Sequence, residues 1–351
     1  MLNPDGTLKQ GVQGSFKVEG YTMRIGKNGE PIFLPQLQSA VIGTWDTQFG
    51  LPFPGVAGDV YALAIDGNGN VYVGGRFSAV GGVNINVSNV ARYNPNSGTW
   101  DNLGGGVTSS GGVWWSVYAL AVSGNDVYVG GFFDQAGGSF GFNSVARYDG
   151  ITWDNLGGGV SFGGYGGQVY ALAVSGNDVY VGGFFDQAGG SFGFNSVARY
   201  DGITWDNLGG GVSFGGSGGV VNALAVSGND VYVGGFFDQA GTGSGAVFAN
   251  NVARYNPNSG TWDNLGGGVS FGGYGGVVNA LAVSGNDVYV GGFFDRAGGS
   301  FGFNNVARYD GITWDNLGGG VSFGGFGGVV YALAVSGNDV YVGGILRKQA
   351  V

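Results

Sequence analysis

One segment of this chain, Val-Tyr-Ala-Leu-Ala-Val or a close variant, returns six times, and that recurrence limits the possible fold more than any other feature. It begins at Val60, Val117, Val169, Val221, Val278 and Val330, at spacings of 57, 52, 52, 57 and 52 residues. Residues 117–164 and 169–216 are identical. A period of this size means one supersecondary unit copied along the chain. Each copy is too small to bury its own apolar face and must stack on its neighbours.

Within a unit the pattern reads as four short strands with turn residues between them. In the second unit the first strand covers 117–122 and stops at Ser123-Gly124-Asn125-Asp126. The second, Val127-Tyr128-Val129, runs into Gly130-Gly131 and Phe132-Phe133; the third covers 144–148; the fourth starts at Thr152-Trp153 and ends in Gly157-Gly158-Gly159. Apolar residues alternate with small ones, as sheets packed on both faces require. The expected fold class is therefore all-β, a β-propeller of four-stranded blades, with a solenoid of the same strands as the alternative. First-and-second strand pairs occur six times and third-and-fourth pairs five times. The missing pair can come from the N-terminal side, where Thr44-Trp45-Asp46 aligns with Thr152-Trp153-Asp154 and part of 32–42 supplies a third strand. This predicts six blades, closed by pairing of the N-terminal strands with the C-terminal half-blade, so that residues 32–59 complete the last blade and leave no open edge. A fragment of a longer array is the alternative. Residues 1–31 lie outside the repeat. Alternation over 21–33 around Lys27-Asn28-Gly29-Glu30 predicts a hairpin, either decorative or a docking segment for another chain.

Composition narrows the chemistry. Glycine supplies 81 residues, but 15% aromatic and 43% hydrophobic content rules out a disordered glycine-rich chain. Cysteine and histidine are absent, which removes disulfides, zinc sites and Ser-His or Cys-His nucleophiles. The net charge of -10 repels phosphate backbones, so nucleic acid is not expected as a partner. No stretch has the length of a membrane span, and no cofactor is implied. The start, Met1-Leu2-Asn3-Pro4-Asp5, shows no basic n-region and no apolar h-region, so standard export is not the expectation unless the chain is a piece of something longer. The Gly/Asn/aromatic-rich, Lys-poor composition resembles that of extracellular or cell-surface proteins, so localisation stays open.

The hydrophobic run ending in Gly-Gly, followed by a tyrosine and a tryptophan, resembles the kelch blade. The Tyr-to-Trp spacing in Arg92-Tyr93-Asn94-Pro95-Asn96-Ser97-Gly98-Thr99-Trp100, and again from Arg254 to Trp262, is the kelch one. In Tyr148/Trp153, Tyr200/Trp205 and Tyr309/Trp314 it is two residues shorter. The units are also similar to the bacterial delta-sixty propeller repeat, with its Ala-Leu-Ala, Asp-Gly, Val-Gly-Gly and Ala-Arg-Tyr-Asn elements. Residues 60–93 match that pattern best. The resemblance covers roughly 44–344 and implies the fold; propellers host unrelated activities.

Two kinds of long loop, 134–143 within a unit and 157–167 between units, are expected on the same face, opposite the short turns. They carry the candidate ligand-binding aromatics Phe140, Phe142, Phe162 and Tyr165, with repeats at Phe192, Phe194, Phe301 and Phe303. The variable positions add Trp114, Trp115, Tyr274 and Phe326. Flat rings among small polar residues hold neutral sugars or protein loops, or else fold back to cap the blade interfaces. The repeated Arg92, Arg147, Arg199, Arg254 and Arg308 are expected to pair with acidic groups such as Asp134, Asp149 or Asp154 rather than line an anion site. Asp149-Gly150-Ile151-Thr152-Trp153 resembles a sialidase Asp-box but lacks one residue. Asp66-Gly67-Asn68-Gly69-Asn70 reads as a tight turn more readily than as a calcium loop. No catalytic or metal residue is assigned. The expectation is a non-catalytic binding or adhesion module that engages a glycan or protein surface multivalently, because repeated blades suit avidity better than a single catalytic centre. The alternative is an assembly component docked through residues 1–31.

Overall fold

The computed structural model describes residues 21–25, 31–35, 55–81, 85–111, 115–272, 275–323, 326–337 and 339–345. The chain divides into two compact units, Met1–Pro52 and Phe53–Val351. In the first, Tyr21–Ile25 pairs antiparallel with Pro31–Pro35, the hairpin that the alternation predicts. Thr44-Trp45-Asp46 and the rest of 36–54 lie outside the described residues.

The second unit of the fold is all-β and carries the repeat as predicted. In the second repeat, Ser116–Ser123, Asp126–Phe132, Val145–Tyr148 and Trp153–Asp154 form one antiparallel sheet, hydrogen-bonded in chain order. The first repeat has the same order, Val56–Ile65, Val71–Val80, Val90–Asn94 and Thr99–Asp101. The third, fourth and fifth repeat it from Gln168, Val220 and Val277. The two Tyr-to-Trp spacings converge on one register. Tyr93 lies opposite Trp100 and Tyr148 opposite Trp153, so the two extra residues are absorbed in the turn. Ring centroids are 5.1 Å apart in both pairs.

The core lies between sheets. Tyr72, Val90, Leu103 and Val107 of the first repeat cluster with Val117, Val127, Val129, Phe133 and Ala146 of the second. Equivalent clusters fill the next three junctions. Each internal sheet is thus buried by its neighbours, which is why its strands read apolar on both faces. A polar bond locks the same junctions. Trp153 Nε1 donates to the Leu103 carbonyl at 2.8 Å, and Trp205, Trp262 and Trp314 repeat this onto Leu156, Leu208 and Leu265.

The expected ring is not closed among the described residues. The sixth repeat consists of Val329–Ser336 paired with Asp339–Ile345; no described strand takes the other edge. Of the segment 32–42 expected to supply a strand only 32–35 is described, and Pro31–Pro35 pairs with Tyr21–Ile25. Leu63 at one end of the array is 64% exposed and Tyr341 at the other 58%.

Candidate functional site

The two long loops meet by pairing with each other. The strand Val160–Phe162, between the second and third repeats, folds back on Tyr165–Gly166. It also pairs with Gln187–Ala188 in the within-unit loop of the third repeat, which in turn pairs with Ser191–Phe192. The result is a small second sheet at each junction.

The first four of these small sheets present the same row; the fifth, Ser322–Phe323 with Phe326–Gly327, is described only as a two-stranded hairpin. Thr108, Gln135 and Phe140 stand opposite one another across three strands. Ser161, Gln187 and Phe192 do so in the next, then Ser213, Gln239 and Phe248, then Ser270, Arg296 and Phe301. Opposed residues share a face, so every row sets a hydroxyl, an amide or guanidinium, and a ring side by side. Thr108 and Ser161 donate to the Gln135 and Gln187 side-chain oxygens at 3.3 Å, and each Gln Oε1 therefore faces the hydroxyl. Arg296 breaks the uniformity, its guanidinium carbon 3.7 Å from the centre of the Phe301 ring.

The end ring of each row points to solvent. Phe140, Phe192, Phe248 and Phe301 are 70%, 74%, 83% and 68% exposed. Their loops are pinned from behind. Asn155 Nδ2 donates to the Gly141 carbonyl at 3.0 Å, and Asn264 Nδ2 to the Phe248 carbonyl at the same distance. Asp134 accepts from the Ser110 hydroxyl at 2.7 Å, and Asp186 from the Gly163 amide at 3.0 Å, which ties each hairpin to the loop it pairs with. Such an exposed but braced ring loses little freedom when a ligand covers it.

The predicted aromatics therefore separate. Phe142, Phe194 and Phe303 are corrected to core positions, 6–7% exposed. Gly141, at φ 92°, turns the chain between Phe140 and Phe142, so two residues that a straight strand would place on one side part company. Phe162 is 38% exposed and stacks on Phe184 with centroids 4.3 Å apart, part surface and part brace. Trp115 lies against Phe132, the counterpart of Phe184, at 6.2 Å. Tyr165 is 83% exposed. Trp114 and Tyr274 fall outside the described residues, and of Phe326 only the strand Phe326–Gly327 is described. Phe214, Phe248 and Phe271, with the glutamines and Arg296, were not anticipated. Phe214 and Phe271 could have been found as copies of Phe162; Phe248 sits in a rewritten loop and carries no such signal.

The repeated arginines are sheet clamps. Arg147 lies 3.5 Å from Asp154 and 3.7 Å from Asp126, and Arg92 lies 2.7 Å from Asp101. Asp154 is an expected partner; Asp126 is not. Asp149 is consumed by its own turn, accepting from the amides of Thr152 and Ile151 at 2.7 and 2.8 Å. Those amides, Thr152 first, hold its carboxyl below the usual range. Asp66 likewise accepts from the Asn68 and Asn70 amides, which closes the tight turn.

No family model matches the chain, and no curated protein matches it. Among solved structures, two of the extracellular domain of BT4673 from B. thetaiotaomicron, one described as a one-component and one as a hybrid two-component system, are similar to it. The identity is 14% and the TM-score 0.48 in both, over 82% and 83% of this chain. The chain spans about a third of their length, 32% and 37%. The computationally designed Ika8 protein is similar over 82% of this chain and 94% of its own, at 19% identity and a TM-score of 0.36. None of these likenesses assigns a role to a residue of this chain.

Proposed function

We propose that this chain is a non-catalytic binding scaffold of the propeller type, and that it holds a neutral glycan across its row of exposed phenylalanines. The observation that carries the reading is Phe248. In the fourth repeat the loop Gly-Ser-Phe-Gly-Phe is replaced by 242–250, yet a phenylalanine again ends the row, opposite Gln239 and 83% exposed. A ring needed only for packing would be buried there. An exposed ring beside a hydroxyl and an amide suits a sugar, whose apolar face stacks while its hydroxyls take the polar neighbours. One such platform contributes little affinity; four on a rigid array contribute through avidity.

The test is a glycan array read with the wild type and with Phe140→Ala, Phe192→Ala, Phe248→Ala and Phe301→Ala, singly and together. Single changes are expected to weaken binding modestly, and the quadruple change to remove it while the circular dichroism spectrum is retained. A quadruple variant that binds as before would overturn the reading. A second reading, an assembly component docked through residues 1–31, draws on the hairpin within the separate Met1–Pro52 unit. Deletion of 1–31 that costs a co-purifying partner, with the phenylalanine row dispensable, would favour it.

A further inference from the structure

Every internal junction of the array is made by one fitting. A Cβ placed on Gly74 would lie 2.5 Å from Val117 Cγ1 and 3.2 Å from Leu120 Cδ1. The bare glycine is a socket, and the Val/Leu pair on the next repeat's first strand is its knob. The fitting recurs at the four following junctions. It leaves two unmated halves. In the sixth repeat the corresponding glycine, Gly343, has among the described residues only Ala332 Cβ near it, 3.6 Å from an added Cβ. Beside it Tyr341 is 58% exposed, where its five counterparts are between 3% and 7%. At the other end Val60 and Leu63, counterparts of Val117 and Leu120, are 43% and 64% exposed.

We infer that these faces are mates and that each is filled by a second copy of this chain, docked head to tail with Val60 and Leu63 of one copy in the Gly343 socket of the next. The complementarity is not a matter of general apolar character, since the same residue types make the same contact five times inside the chain. Among the described residues both halves stand open in one chain, so neither fills the other there. Because the faces are unlike, the contact is heterologous and each copy keeps one free half for the next. The uncovered part is confined to the inner strands, for Val73 and Ala91 on the same face of the first sheet are already buried. A contact of that extent is in the weak, concentration-dependent class. The inference does not depend on the glycan reading.

Sedimentation velocity of the full chain across a wide concentration range tests it. The wild type is expected to associate as concentration rises. Leu63→Glu removes the knob and Gly343→Leu fills the socket; the space at Gly343 admits the side chain, so the variant folds. Each alone is expected to associate at least about tenfold more weakly. Mixed, they keep one good half each, and a heterodimer that grows no further is expected. As the chain has no cysteine, a Leu63→Cys/Gly343→Cys variant reports the geometry directly. Crosslinks between copies support the inference. A wild type that stays monomeric, or a crosslink formed within one chain and sealing a ring with residues 32–59 in the last blade, overturns it.

Discussion

Leu156 sits at φ 49°, a left-handed backbone that costs a bulky residue roughly 1–3 kcal/mol, and its counterparts Leu103, Leu208, Leu265 and Leu317 share it. The strain persists because three contacts fix the residue. The side chain is buried in the junction cluster, the amide donates to Asp154 at 2.7 Å, and the carbonyl accepts from Trp205 Nε1 at 2.8 Å. The first and the last reach the next repeat, and the last is the polar one. Trp205→Phe keeps a ring against Tyr200 but leaves the Leu156 carbonyl without its donor, a loss of about 1–3 kcal/mol. The urea midpoint is expected to fall accordingly, with hydrogen exchange accelerated on both sides of that junction. Faster exchange confined to the third repeat would show that the bond does not couple the sheets.

At the scale of the element, the main strands were legible because six copies average out ambiguity and alternation survives in each. The small sheets were not. Their strands are two or three residues long, too short to show a period, and they pair across the repeat boundary, as Ser161 does with Gln187. The site divides the same way. That aromatics gather on one long-looped face could be read; that Phe140 faces out while Phe142 faces in depends on the φ of Gly141 and could not. The arginine clamp was half legible, since Asp154 is its cross-strand neighbour on one side, while Asp126 begins the strand on its other side and lies off the direct register. The short turns carry a pH dependence. Asp149, Asp201 and Asp310 have carboxyls held low by turn amides. A depressed folded-state pKa contributes stability that is present above the unfolded value, about 3.9 for Asp, and is lost as pH falls through the lower folded value. The Ile151 and Thr152 amides are therefore expected to stay protected down to pH about 4 and to open below it, before the junction clusters do. Nuclear magnetic resonance of those amides during acid titration checks this; protection unchanged until global unfolding would contradict it.

At the scale of the molecule, stability is a sum over sheets and the junctions between them, because each core cluster belongs to two neighbours. Residues 117–164 and 169–216 are identical, so deleting 117–168 removes one whole repeat and changes no remaining junction: the first repeat then meets the third through the same residues with which it met the second. Such a chain is expected to fold, to keep the β spectrum of the parent, and to lose thermal stability only by the share of one sheet and one junction, on the order of 5 °C. Its exposed phenylalanine row is shorter by one platform, so avidity for a multivalent ligand drops while affinity for a monovalent one does not. The end faces at Leu63 and Gly343 are untouched, and head-to-tail association persists unchanged. A ring of fixed blade number behaves otherwise, since removal of one blade leaves a gap that no local adjustment fills, and the shortened chain would aggregate or fail to fold. Melting curves and sedimentation of this single deletion thus separate an open array, whose length is free, from a closed one, whose length is not.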